Sequence, residues 1–201
     1  MTLPARSFPP LEGPQARLLI LGSMPGMASL EAARYYAHPR NAFWPIVMAL
    51  LDAGEAPAAP STVDPSTADE VSAPGRRGIA VRLPGYDERV RRLLAAGIAL
   101  WDVLAECVRP GSLDAAIRRD SERANELPAL CDRHPELSLI AFNGQTAAKL
   151  FERHVGEEVR ARRPDIRCLT LPSTSPAHAS LTLADKHARW RDALGSVIDS
   201  R

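Results

Sequence analysis

Lysine is nearly missing from this chain of 201 residues: only Lys149 and Lys186 occur among its 25 Lys and Arg side chains, so arginine carries almost all the positive charge. Arginine suits bidentate contacts to phosphate, and a biased genome base composition accounts for the same excess equally well. The formal net charge is only +1. That excludes the strong overall positive excess of many nucleic-acid-binding domains, so any such contact has to be local. Cysteine is as scarce. Cys107, Cys131 and Cys168 are far apart and show no C-x-x-C spacing, which argues against a zinc site and a disulfide framework. Three thiols also fall short of the four that usually hold an iron–sulfur cluster, so inert reduced thiols, no metal and no cofactor are expected. No stretch approaches the roughly 18 to 20 apolar residues of a membrane-spanning helix, and the first ten residues lack an apolar signal-peptide core. A cytoplasmic protein without a membrane partner is the expectation.

With 45% hydrophobic residues, the chain can bury one substantial core, so a single domain over residues 1–201 is expected. Arg17 to Leu21 is a short apolar run that stops at Gly22, as a buried parallel strand feeding a loop would. Gly97 to Trp101, Leu137 to Phe142 and Ile166 to Leu171 repeat the pattern. Helical periodicity lies between and after them, at Ala42 to Leu51, Tyr86 to Ala96, Thr146 to His154 and Thr182 to Ile198. Gly97 supplies a C-terminal stop for the second of these helices. Strands alternating with helices predict a three-layer α/β/α domain with a central, mainly parallel four-stranded sheet, whose ligand site lies beyond the C-terminal strand ends. Residues 54–78, rich in Pro, Ala and Ser, read as a flexible insertion.

Three segments at those strand ends carry candidate chemistry. Gly22-Ser-Met-Pro-Gly26 lets backbone approach a ligand closely, and its amides can receive a carbonyl or phosphate oxygen; an ordinary strand-to-helix turn explains it equally well. No Gly-Lys-Ser/Thr follows, which excludes a Walker loop. Tyr35 to Trp44 is dense in aromatic and polar groups. Asn41 within it stands where a helix begins and fits an N-cap as well as a catalytic amide. His38 fits a structural role or a general acid. Leu171-Pro-Ser-Thr-Ser-Pro-Ala-His-Ala179 places small hydroxyls between prolines, suited to phosphate or to self-satisfied Ser/Thr turns. A serine hydrolase is excluded because neither Ser173 nor Ser175 lies in a G-x-S-x-G elbow.

Taken together and in order, Gly22 to Gly26, His38-Pro-Arg-Asn-Ala-Phe-Trp44 and Leu171 to Pro176 resemble the hypoxanthine-DNA glycosylase branch, often called family six, of the uracil-DNA glycosylase superfamily. Trp101-Asp-Val-Leu104, Gly111-Ser-Leu-Asp114 and Phe142-Asn-Gly144 fit that branch as well. The resemblance implies a monofunctional enzyme that flips a deaminated base out of double-stranded DNA and hydrolyses its N-glycosidic bond, hypoxanthine ahead of uracil, as a monomer with no obligate protein partner. It implies Asn41 as the catalytic residue, since Met24 stands where the superfamily usually has an acid or amide for water activation. It implies a base pocket of Gly22, Ser23, Met24, Pro25, Gly26, Tyr36, Phe43, Trp101, Asp102 and Asn143, with Tyr36 stacking on the base and Phe43 the second aromatic. His38, Arg40, Ser173, Thr174, Ser175 and His178 are the implied DNA backbone contacts. Leu171 replaces the usual loop His or Asn, and Trp101-Asp102 replaces the usual uracil-reading amide. Uracil or xanthine as main substrate, a non-catalytic damaged-DNA binder and an enzyme on free nucleotides stay open beside this expectation.

Overall fold

The computed structural model describes residues 4–54 and 83–199, so the expected insertion at 54–78 lies outside the described residues apart from Gly54. In chain order the elements are β1 (Ala5–Arg6), β2 (Leu18–Gly22), α1 (Met27–Ala32), α2 (Phe43–Gly54), α3 (Tyr86–Ala95), β3 (Ile98–Asp102), β4 (Leu104–Cys107), β5 (Arg123–Ala124), α4 (Leu127–Arg133), β6 (Leu139–Asn143), α5 (Gln145–His154), α6 (Gly156–Arg162), β7 (Arg167–Leu171) and α7 (Leu183–Asp199). The four expected strands are β2, β3, β6 and β7, and they form one parallel sheet in the order β3-β2-β6-β7. Every residue of β2 and β3 is buried, because a parallel strand covered on both faces has no solvent side to leave polar. Helices α2, α3 and α7 pack together and onto β3 and β7; α4, α5 and α6 form a second group against β6 and β7. The α/β/α architecture expected from the sequence is the one observed.

Local signals explain the boundaries. Gly97 adopts φ +71, and its amide closes onto the Leu94 carbonyl, ending the α3 region where the glycine stop was expected. A side chain there would also press on the Gln15 carbonyl at 2.9 Å. Periodicity does not reveal a second, antiparallel sheet of β1, β4 and β5, whose strands are only two to four residues long. This small sheet draws the N-terminal segment across the outer strand β3, where Leu11 bridges Leu100 and the Phe8 carbonyl accepts a hydrogen bond from Trp101 Nε1 at 2.8 Å.

The arginine excess is largely structural. Arg133 pairs with Glu12, Arg153 with the buried Glu122, Arg162 with Asp132 and Glu158, and Arg163 donates to four backbone carbonyls between Cys131 and Leu137. Leu19, fully buried in β2 between the neighbouring strands β3 and β6, belongs to the continuous hydrophobic core. Leu19→Ala is expected to lower the unfolding free energy by about 2–5 kcal/mol, measured by denaturant titration.

Candidate active site

Because all four central strands run in one direction, their C-terminal residues Gly22, Asp102, Asn143 and Leu171 arrive at one edge of the sheet. A cleft of about 740 Å³ opens there, lined by the loops that follow those residues. It receives Gly22 to Gly26, Tyr36, His38, Asn41, Asp102, Asn143, Ser173 to Ser175 and His178, so most of the expected site residues converge.

The loop after β2 is fastened through its carbonyls. Gly22 and Ser23 carbonyls accept from the amides of Val103 and Leu104 at 2.9 and 3.1 Å, and Arg109 Nη2 donates to the Pro25 carbonyl. Among the described residues no acceptor meets the amides of Met24 and Gly26, both on the cleft wall. Met24 itself is 6% exposed.

Tyr36 is held in the left-handed region at φ +54, a conformation that a tyrosine adopts only when its surroundings enforce it. Its ring stacks on Phe43 with centroids 3.9 Å apart and planes 19° from parallel. One ring face is therefore occupied by protein, and the residue lines the cleft. This corrects the expectation for Phe43: fully buried and also packed edge-on against Trp44 and Trp190, it supports Tyr36 from behind and cannot touch a base. Trp101 is a second correction. It is buried, bonded to the Phe8 carbonyl and absent from the cleft wall, because a strand residue alternates away from its neighbour Asp102.

Asn41 caps the helix and also faces the cleft. Its Oδ1 accepts the Phe43 amide at 3.0 Å at the start of α2, while the residue lines the cleft. The bond fixes which end of the carboxamide is oxygen and leaves the NH2 group without a partner among the described residues. His38 Nδ1 accepts the Arg40 amide at 3.1 Å, so in its neutral form the proton resides on Nε2. Arg40 is exposed and lies outside the cleft lining, since the turn that presents His38 and Asn41 carries it outward.

The loop after β7 is anchored at Thr174, which is fully buried. Asn143 Nδ2 donates to Thr174 Oγ1 at 2.8 Å, the Thr174 amide donates to Asn143 Oδ1 at 2.9 Å, and the Thr174 carbonyl accepts the Ala42 amide at 3.0 Å. Thr174 is thus a structural tie and not a DNA contact, and the Asn143 amide is committed to it. Ser173 Oγ accepts the Ser175 amide and Ser175 Oγ accepts the Ala177 amide, each at 3.2 Å. These are the self-satisfied turns anticipated, yet they use the hydroxyl oxygens as acceptors only, so both O–H protons remain to be donated. Lys186 Nζ supports the same loop through the Ser175 carbonyl at 3.3 Å, and burial lowers its pKa.

Asp102 has greater weight in the structure than in the sequence. It is 3% exposed, with Ser7 Oγ donating to Oδ2 at 3.0 Å. Burial, reinforced by the charge of Asp114 and opposed by the Ser7 hydrogen bond and Arg109, raises its pKa to about 7. Asp114 was not foreseen as a wall residue, although the Gly111-Ser-Leu-Asp114 motif contained the signal. It lines the cleft with Ser112, accepts from Ser23 Oγ at 2.7 Å, and burial raises its pKa against the opposing Ser23 bond and Arg109. Arg189 of α7, also unforeseen, is exposed on the same wall.

Residues 9–194 match the family Uracil DNA glycosylase superfamily. The chain is 28% identical over 144 residues to a hypoxanthine DNA glycosylase of Methanosarcina barkeri, covering 72% of this chain and 73% of that protein. It is 28% identical over 187 residues to a hypoxanthine DNA glycosylase of Methanosarcina acetivorans, covering 92% and 94%. A solution NMR structure of a provisionally assigned uracil DNA glycosylase from Methanosarcina acetivorans superposes with a TM-score of 0.70 at 24% identity, over 97% of this chain and 99% of that one, so it shares the fold.

Two outcomes are expected. Gly144, at φ +102, has no room for a side chain because a methyl would meet Ser173 Cβ at 2.9 Å; Gly144→Ala should lose about 1–3 kcal/mol in denaturant unfolding. The folded state binds the Asp102 proton more tightly than the unfolded chain, so its stabilising contribution is complete at low pH and is lost as pH rises from 3.8 toward about 7. Relative to Asp102→Asn, the native protein should lose up to about 1.4 kcal/mol per pH unit across that window, with thermal melting followed at several pH values as the check.

Proposed function

The chain belongs to the uracil DNA glycosylase superfamily, and we propose that it is a monofunctional glycosylase that excises hypoxanthine from deoxyinosine in double-stranded DNA, acting as a monomer. The observation that carries this reading is the convergence on one cleft of Tyr36, backed by Phe43, with Asn41 and with Met24 and Gly26, whose amides have no acceptor among the described residues. The names of the two Methanosarcina relatives favour hypoxanthine as the base.

A base inside a duplex has to leave the stack before it can enter such a cleft, which costs a few kcal/mol and least where the base is damaged or mispaired. Stacking on Tyr36 offsets about 1–3 kcal/mol of that. Cleavage of the N-glycosidic bond leaves positive charge on the sugar and negative charge on the departing base. The free amides of Met24 and Gly26 suit the latter, since preorganised donors stabilise charge without reorganising. Asn41 orients the water, and its carboxamide is already fixed by the Phe43 amide. A neutral amide is a poor proton acceptor, so its contribution is positioning. Ser173 and Ser175 donate their hydroxyl protons to the DNA phosphates, joined by Arg189. No lysine lines the cleft among the described residues, which fits hydrolysis without a Schiff base.

The test is a panel of duplexes, each with one hypoxanthine, uracil or xanthine. The expected result is release of free hypoxanthine faster than the other two bases, with Asn41→Ala slowed by about 100-fold or more. Asn41→Asp, which keeps the capping acceptor, separates the helix cap from chemistry: if both variants melt normally but only the alanine loses rate, the loss belongs to the reaction. Tight, salt-sensitive binding without turnover overturns the proposal in favour of a damaged-DNA binder.

A further inference from the structure

Three large apolar side chains are exposed among the described residues, and two of them belong to the cleft wall: Leu113 at 60% and Met27 at 43%. The third, Leu183, lies outside the cleft lining. A single exposed leucine is ordinary; the mounting of Leu113 is not. Hydrogen bonds fasten the chain on either side of it to the segment after β2. Ser112 Oγ accepts the Met27 amide at 3.0 Å, and Asp114 Oδ2 accepts from Ser23 Oγ at 2.7 Å. Arg109, whose side chain is 1% exposed, ties both ends of the loop. Its Nε donates to the Gly111 carbonyl at 3.1 Å, Nη1 pairs with Asp114 at 3.5 Å, and Nη2 donates to the Pro25 carbonyl. Gly111 turns the chain at φ +72, in the region that favours glycine. The Leu113 carbonyl then accepts the Ala116 amide at 2.9 Å, which closes the loop beyond it. The polar groups beside Leu113 are thus engaged, and the loop holds an apolar residue out at the cleft.

Extracting a nucleotide from a duplex leaves a gap in the stack, and the nucleotide returns unless something fills the space. A filler has to be apolar, because it takes the place of a base between two stacked neighbours. It has to be held in advance, because ordering a mobile loop on entry would cost conformational entropy. It also has to stand at the mouth of the cleft that receives the base. Leu113 meets all three conditions. The loop after β7 supplies instead the hydroxyls of Ser173 and Ser175, and α7 supplies Arg189, groups that suit phosphates. In the sheet β6 separates β2 from β7, so the apolar and the hydroxyl-bearing parts of the rim stand apart.

We propose that Leu113 is a wedge: as the damaged nucleotide turns into the cleft, this side chain enters the vacated position in the stack of double-stranded DNA and holds the flipped state. This rests on the glycosylase reading above. Burying a leucine side chain shifts an equilibrium about 10- to 100-fold, and Leu113 favours the flipped nucleotide over the stacked one by that factor. It acts on the DNA and not on the reacting bond, so it is a positioning residue.

The experiment compares single-turnover release of hypoxanthine from a duplex and from the same deoxyinosine strand alone, with 2-aminopurine beside the deoxyinosine to report unstacking by its fluorescence. Native protein should brighten the duplex probe on binding. Leu113→Ala should slow release from the duplex about 10- to 100-fold, leave release from the single strand unchanged and lose most of the fluorescence rise. Leu113→Met, which keeps a long apolar side chain, should retain both signals. Leu183→Ala, at the exposed leucine away from the cleft, should change neither. An equal loss on duplex and single strand overturns the inference, because the residue then serves folding or chemistry. An unchanged duplex rate and fluorescence in Leu113→Ala overturns it as well. Should the native protein release no hypoxanthine, the glycosylase reading falls; a fluorescence rise that depends on Leu113 then keeps the wedge, and its absence removes it.

Discussion

The reciprocal hydrogen bonds between Asn143 and Thr174 are the constraint on which the cleft depends. Thr174 is fully buried, so its backbone and hydroxyl have to find partners inside the protein, and they do so in two directions. Asn143 at the end of β6 takes the hydroxyl and the amide; Ala42, at the threshold of α2, takes the carbonyl. Three segments remote in sequence are thereby held in one register: the turn after β6, the Ser/Thr loop after β7 and the segment that presents Tyr36 and Asn41. Loss of one of these bonds would leave a buried polar group unpaired, at about 1–3 kcal/mol, which makes the arrangement cooperative.

Around that tie the cleft separates two kinds of polar group. On the rim are neutral groups that hydrogen-bond without changing protonation: the Asn41 amide, the hydroxyls of Ser173 and Ser175, and the free amides after β2. Below the rim lie two carboxyls with raised pKa values, Asp102 and Asp114, the second held by Ser23 and Arg109. A site that positions water and accommodates charge on a leaving base needs little proton transfer on its rim. The two acids lie in surroundings of lower dielectric, which strengthens each of their contacts. The N-terminal segment matters for this: through the small antiparallel sheet it brings Ser7 under Asp102 and closes the outer side of β3.

Much of this was legible in the sequence. Apolar runs ending at Gly22, Asn143 and Leu171 identified the strands, and the spacing of Tyr36, Asn41 and Ser173 after them placed the site at one edge. Local signals do not reveal partners, however. Phe43 and Trp101 are aromatic and close in sequence to true wall residues, but the stacking of Phe43 beneath Tyr36 and the bond from Trp101 to Phe8 remove both from the cleft. Thr174 sits between two serines that look identical to it in pattern; only its burial distinguishes it. Asp114 was marked by a motif whose role became visible once Ser23 and Arg109 were found beside it.

By itself the sequence determined the α/β/α architecture, the four strands of the central sheet, the helices α2, α3, α5 and α7 and the three loops that form the site, because apolar periodicity and glycine or proline punctuation are short-range properties. The tertiary structure alone decided that Tyr36 stacks on Phe43, which amides are free, and that Asp102 is buried against the cleft with a pKa raised to about 7. Those features come from burial and from hydrogen bonds between residues such as Ser7 and Asp102, or Asn143 and Thr174, that meet only when the sheet is assembled.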